Sequence, residues 1–335
     1  MHMTPPAEPA PASPSATDHP WVRGPISDQE FLIVAGTYRS GTTSMYTHLA
    51  AHPEVAASSI KEPAFFFPPR WAVKPPVYPP GHEVEAYLSL FKTGPRTRIR
   101  MEATPNYLHD PGCAARIRHA LPGARVIVLL RDPVKRLPSW YKHNRYQGWM
   151  PSGTPAEQWV RAMLDQRGPA DTTPYHYRAL AHGCYALYVA AFLETFGRDR
   201  VLVLWFDHLL SDPVGTMEKV SVFCGISPGF YRTYSFPREN ESSKILWPRL
   251  FAAYRMLHKA FFRMFQPFPR LQFRLKEIFF TRVEPPLLRT FFAGPADPVN
   301  LPEPLRRELR EYYRADTEAL AQLLGEVPPW AGETV

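Results

Sequence analysis

Apolar positions along this chain alternate between short dense runs and longer stretches where they recur every three or four residues. Phe31–Ala35, Arg98–Glu102, Arg125–Leu130 and Arg200–Phe206 read as strands. The first is an unbroken apolar run, long enough for a strand covered on both faces, and the third is the clearest in the chain. Helical periodicity follows from Thr42, over 83–91, over 110–120, after Pro133 through Tyr141, over 155–165, over 183–196, over 212–224 and over 302–324. Strands alternating with helices predict an α/β fold, a mostly parallel sheet flanked by helices on both faces, with a helical C-terminal portion. Residues 1–24 are rich in Pro, Ala and Ser and predict a disordered lead-in. Residues 25–335 read as one domain, with no internal repeat. Residues 68–82 are Pro-rich and predict a loop near the substrate side.

Candidate chemistry begins where the first strand ends. Gly36 and Gly41 bracket Thr37-Tyr38-Arg39-Ser40, and Thr42, Thr43 and Ser44 open the next helix. A glycine turn feeding a helix N-terminus turns backbone N–H groups inward and makes a seat for a phosphate-like anion. The spacing is that of a P-loop, but Thr42 stands where the ATP-binding version needs lysine, and no convincing magnesium-binding aspartate follows. A phosphorylated donor other than ATP·Mg fits better, with Arg39 as the cation in the loop. Arg131 closes the third strand, where open α/β sheets place ligands, and Ser139 follows eight residues on. A salt bridge with Asp132 is the plainer reading of Arg131.

Composition narrows the partners. Hydrophobic residues make up 45% of the 335 and the net charge is +8, which points to an anionic ligand or surface. The basic residues lack the motif of a nucleic-acid reader, so nucleic acid is not expected. Cys113, Cys184 and Cys224 are dispersed and odd in number, so no disulfide framework is expected. His48 and His52 stand four apart, but Pro53 and the lack of a further ligand argue against a metal site, and no metal is expected. No signal-like N-terminus or membrane-spanning run is present, which predicts a cytoplasmic protein, with the inner membrane surface as the alternative address.

Two segments carry rival readings. In Lys61-Glu62-Pro63 followed by Phe65-Phe66-Phe67, burial beside the rings would make Glu62 a stronger base, whereas a surface ion pair at a proline turn is the ordinary alternative. Over 245–293 phenylalanines and arginines alternate irregularly. Such a stretch can pack its aromatics inward as a helical cap, cover a hydrophobic acceptor, or lie on a membrane surface.

Taken together, these residues resemble the sulfotransferases that use 3′-phosphoadenosine 5′-phosphosulfate, over about residues 30–330. The loop GTYRSGTTS is similar to that family's 5′-phosphosulfate loop, and RVIVLLRDPVKRLPSWY to its 3′-phosphate segment, with Arg131 and Ser139 at the matching positions. GCYALYVAAFLETFGRDRVLVLWFDHLLSDP is similar to a further segment, especially in bacterial and heparan-sulfate-type members. The resemblance implies Arg39, Ser40, Gly41, Thr42, Thr43, Ser44, Arg131 and Ser139 as donor-binding residues, and Glu62 as the base beside Arg39. Lys61, Glu102, Tyr107 and His109 are candidate substrate-side residues, and His109 is the second candidate base because it follows a strand end. Arg39 stands where many members have lysine, and Ala103 where some glycan-modifying members do. The implied acceptor is a glycan, a lipid-linked saccharide or a hydrophobic natural product. A P-loop phosphotransferase and a non-catalytic membrane-surface protein are the rival functions.

Overall fold

The computed structural model describes residues 22, 24–67, 78–79, 81–147, 149–150, 153–165, 178–237, 243–245, 247–295 and 298–332. Most of the Pro-rich lead-in and of the Pro-rich loop after Phe67 lies outside the described residues.

Five strands form one sheet: β1 (Phe31–Gly36), β2 (Val55–Ala57), β3 (Ile99–Ala103), β4 (Arg125–Leu130) and β5 (Val201–Trp205). Their order is β2-β3-β1-β4-β5 and every pairing is parallel. Parallel neighbours need crossovers, and helices supply them on both faces. Strand periodicity sorts the core. Phe31, Ile33 and Ala35 join Val126, Val128 and Leu130 on one face, under α3 (Pro111–Ala120) and α6 (Ala186–Phe196). Leu32 and Val34 join Ile127 and Leu129 on the other, under α1 (Thr42–Ala50) and α8 (Pro213–Cys224). A third cluster joins α4 (Pro133–Gln147) and α5 (Ala156–Asp165) to α12 (Glu303–Leu324) through Trp140, Trp159, Leu305 and Leu309.

Three elements differ from the sequence expectations. Residues 55–57 form an edge strand against β3, too short to show a period. The helix expected from Gly183 starts at Ala186, because Asp316 on α12 accepts hydrogen bonds from the Tyr185 and Ala186 amides at 2.7 and 3.0 Å. The run expected to remain extended through Phe206 ends at Trp205, and Phe206 opens α7 (Phe206–Ser211).

Further elements are α2 (Glu83–Leu88), a two-stranded antiparallel sheet of β6 (Ser243–Ile245) and β7 (Ala293–Pro295), α9 (Pro248–Met264), α10 (Pro269–Ile278) and α11 (Glu284–Leu287), besides short 3₁₀ and π-helical turns. Among the described residues, no helix is long and apolar enough to cross a membrane.

Candidate active site

β1 lies between β3 and β4, so the chain leaves it in one direction and later returns on its other side. Such a switch point opens a crevice at the carboxyl ends of the strands. Gly36 ends β1 there. A Cβ on Gly36 would stand 2.6 Å from the Leu108 side chain, so only glycine lets the 3₁₀ turn Pro105–His109 pack so closely. Gly41 is the N-cap of α1 at φ 85°, and a Cβ there would meet the Phe206 ring at 2.6 Å. Backbone conformation and close approach both demand glycine at this position.

The loop between these glycines is built to meet an anion. No side chain caps α1 and its first turn has no acidic residue, leaving the positive end of the helix open. Ser40 is fully buried and its Oγ has no protein partner. Such orphaned buried hydroxyls are rare, and a ligand oxygen would satisfy this one. The partly buried Arg39 has φ 67° and donates from Nε to Ser139 Oγ at 3.0 Å. Burial pulls its pKa down, while the nearby Tyr38 and Glu62 oppose that shift. Arg131 approaches the Arg39 carbonyl with Nη1 at 3.4 Å and stacks its guanidinium over Phe206 at 4.7 Å. Burial lowers the Arg131 pKa too, partly offset by Asp207 and Tyr185. Two half-desolvated guanidiniums thus flank the loop, where each attracts an anion more strongly than in water.

Asp132 does not take Arg131 as its ion partner. It accepts from the Val134 amide at 2.8 Å and forms a two-pronged pair with Arg310 of α12 at 2.9 and 2.7 Å. This leaves Arg131 facing a cleft of about 870 Å³ that Lys135, Arg306 and Arg310 also line. Sequence reasoning missed these three: Arg306 and Arg310 because nothing local to α12 indicates that it reaches the carboxyl end of β4, and Lys135 although it lies on α4 only four residues past Arg131. The buried Arg136 was missed as well. It sits under the loop, donating to Thr37 Oγ1 at 3.2 Å and to the Ala179 carbonyl at 2.9 Å, with Trp140 and Tyr185 against its guanidinium.

Glu62 reaches the same edge of the sheet from the other side. Its amide donates to the Ala103 carbonyl at 3.1 Å, holding it beside the end of β3. Its backbone lies at φ 63°, a region a non-glycine side chain occupies at some cost. The carboxylate is partly exposed and pairs with Lys61 Nζ at 2.6 Å. The structure therefore brings Lys61, Glu62, Arg39, the loop, Ser139 and Arg131 along one edge.

Three other expected substrate-side residues are not surface-facing members of that set. Glu102 is fully buried and accepts from Thr104 at 2.7 Å, Tyr87 at 2.9 Å and Tyr107 at 3.4 Å. Burial pushes its pKa up to about 7, against the lowering effect of those three bonds. Tyr107 is also fully buried, with its hydroxyl accepting from the Phe66 amide. His109 is buried against His182, rings stacked at 4.0 Å, with Nε2 at 3.2 Å from both the His182 carbonyl and Thr37 Oγ1. A carbonyl requires a donor, so Nε2 carries the proton. Burial and the nearby Arg136 keep the ring neutral. His48 and His52 pack among Phe230, Tyr234 and Phe236, and no metal-holding group of His, Cys, Asp and Glu occurs among the described residues.

Sheet order, glycine loop and flanking arginines define an α/β protein with a phosphate-shaped loop that lacks a Walker lysine. Residues 29–246 match the sulfotransferase domain family, and the chain belongs to that family. It is a sulfotransferase, and the co-substrate typical of the family is 3′-phosphoadenosine 5′-phosphosulfate, which sets the phosphotransferase alternative aside. Among curated proteins it is 27% identical over 234 residues to the mouse bifunctional heparan sulfate N-deacetylase/N-sulfotransferase 4, covering 69% of this chain and 26% of that one. The human N-deacetylase/N-sulfotransferase 3 is 26% identical over 228 residues, covering 66% and 25%. The chain thus spans about a quarter of the length of these relatives. Its fold matches a crystal structure of a sulfotransferase from Alicyclobacillus acidocaldarius with TM-score 0.57 and 22% identity, over 90% of this chain and 97% of that one.

Proposed function

We propose that this chain transfers the sulfuryl group of 3′-phosphoadenosine 5′-phosphosulfate to a hydroxyl of a saccharide-bearing acceptor, a glycan or lipid-linked saccharide, with Glu62 as general base. The observation that carries this reading is the placement of Glu62 beside Arg39 at the edge where the glycine loop ends. The heparan-sulfate relatives support a saccharide acceptor through their names alone.

In this reading the loop amides, Ser40, Thr42, Thr43 and Ser44 receive the 5′-phosphosulfate, while Arg131 and Ser139 hold the 3′-phosphate. The acceptor oxygen attacks sulfur and gives its proton to Glu62. A new oxygen–sulfur bond forms as the bond to the 5′-phosphate oxygen breaks. Arg39 and the helix N-terminus stabilise the charge that collects on the departing phosphate. Lys61, paired with Glu62 at 2.6 Å, holds the carboxylate at the edge of the site. Glu62 is preferred to His109 because the His109 Nε2 is already engaged and the ring is buried. Residues 25–335 act as one catalytic unit in this account, with 245–293 as a cap on the acceptor side.

Transfer of labelled sulfuryl groups to a panel of saccharides, compared between the parent and Glu62→Gln, tests the assignment. General-base loss should lower kcat by roughly 10²- to 10⁴-fold, with affinity for 3′-phosphoadenosine 5′-phosphate unchanged. Turnover within a few-fold of the parent would remove Glu62 from the role.

A further inference from the structure

We propose that α9 and α10, with the turns that follow them, form a docking surface for a bilayer carrying anionic headgroups. The proposal stands whichever hydroxyl is sulfated, and it rests on how this segment differs from the rest of the surface. Of the fifteen large apolar side chains exposed among the described residues, eleven lie between Trp247 and Phe291. Scattered exposed leucines are ordinary, but a concentration of this kind marks an interaction face.

The exposed residues also have a geometry. Leu250, Leu257, Phe261 and Met264 are 47% to 71% exposed and spaced seven, four and three apart, which lines them along one side of α9. Phe251 and Phe262 turn the other way and are buried. The stripe runs for ~21 Å, at 1.5 Å per residue. It borders a groove of about 470 Å³ that Tyr254, His258 and Phe279 complete. The helix therefore buries one side and leaves a second apolar side open to solvent, which an inward-packing cap alone would not do.

Charge selects the occupant. Residues 245–293 contain nine Lys or Arg and two Glu, so +7 of the chain's +8 lies in this segment. Both acids have internal partners: Glu284 accepts from the Tyr254 hydroxyl at 2.9 Å and Glu277 from the Ser59 hydroxyl at 2.7 Å. A second copy pressed onto this face would set +7 against +7. An anionic bilayer would instead be attracted to the basic side chains while the apolar stripe entered the headgroup boundary, the usual mode of an interfacial amphipathic helix. No described helix can span the bilayer, so the contact is to the surface. The match to the sulfotransferase domain ends at residue 246, one residue before the patch begins. The Glu277–Ser59 contact ties α10 to the strand-end loop that carries Lys61 and Glu62, so docking would hold the Glu62 side of the site near the membrane.

The test is flotation of the full chain with vesicles of phosphatidylcholine alone or with added phosphatidylglycerol, at low and high salt. The chain should float with the phosphatidylglycerol vesicles and lose recovery as salt rises. The combined Leu257→Glu, Phe261→Glu and Met264→Glu variant should lose flotation at least tenfold; these exposed positions leave the core intact, which an unchanged melting temperature would verify. Arg263→Glu with Arg270→Glu should weaken partitioning by about fivefold or more per cation lost. Absence of flotation at low salt, or equal flotation of the apolar triple variant, would overturn the proposal. So would a stable dimer by light scattering that those substitutions dissolve while vesicles fail to bind the parent.

Discussion

The wall around the glycine loop and the segment from α9 to α11 solve opposite problems. Around the loop, backbone geometry does the work: Gly36 and Gly41 admit Leu108 and Phe206, and almost every apolar side chain of β1 and β4 is inside. The loop's own Ser40 Oγ is left there without a protein partner. From α9 onward the balance reverses, with large apolar side chains left outside and cations clustered on the same segment. One region is shaped to take a small anion out of water, the other to meet something broad. The loop lies inside the family match, whereas α9 and α10 lie beyond it. The contrast implies that donor chemistry is set by the first region alone and can be damaged without touching the second.

The sharpest break in that contrast is Gly41→Ala. A methyl group at φ 85° and 2.6 Å from Phe206 must displace the loop amides or the ring. Loss of amides aimed at the leaving phosphate should lower kcat/KM by roughly 100- to 1,000-fold, while vesicle flotation stays at the parent level. Unchanged turnover would mean that the loop does not form the donor seat.

Arg131→Ala should come next. Removing charge-assisted hydrogen bonds worth about 1.5–3 kcal/mol should weaken binding of 3′-phosphoadenosine 5′-phosphate by roughly 10- to 100-fold, with adenosine 5′-phosphate affected less. Calorimetric titration of both ligands measures the difference, and equal losses would detach Arg131 from the 3′-phosphate.

The smallest effect concerns the buried Glu102 of β3. Its folded pKa of about 7 lies above the ordinary carboxylate value, so the folded chain holds this proton more tightly than the unfolded chain. Its stabilising contribution is therefore full below the unfolded pKa, and it is lost as pH rises toward 7. Denaturant unfolding should show stability from this group falling by about 1–2 kcal/mol between roughly pH 5 and 6.5, and Glu102→Gln should flatten that slope. A slope that survives the substitution belongs to other groups, of which Asp316, raised to about 6 by burial, is the first to examine.

Much of the donor side could be read from the residues in order, because its determinants are local. A run of apolar residues, two glycines five apart and a hydroxyl-rich helix start lie within fourteen positions. Arg131 was legible for the same reason, being the last step of an apolar strand. What was not legible depends on contacts between distant parts of the chain. The Asp132–Arg310 pair spans 178 residues, and Arg136 gains its place under the loop only once α4 is packed. Glu102 and Tyr107 were candidate substrate-side residues, Glu102 through the family resemblance, yet both are fully buried: Glu102 accepts from Tyr87 and Thr104, and the Tyr107 hydroxyl accepts from the Phe66 amide. The exposed stripe of α9 could not be told from a buried one, since periodicity reports that a face is apolar and not what covers it.

The most direct test of the central claim is thermal unfolding with 3′-phosphoadenosine 5′-phosphate, ATP·Mg or adenosine 5′-phosphate. At 100 times its dissociation constant a ligand stabilises the fold by about 2.7 kcal/mol, and at equal concentrations the bisphosphate should raise the midpoint most. A larger rise with ATP·Mg, or no rise with the bisphosphate in a folded sample, would contradict the assignment of the glycine loop, Arg39, Arg131 and Ser139 to a 3′-phosphoadenosine donor.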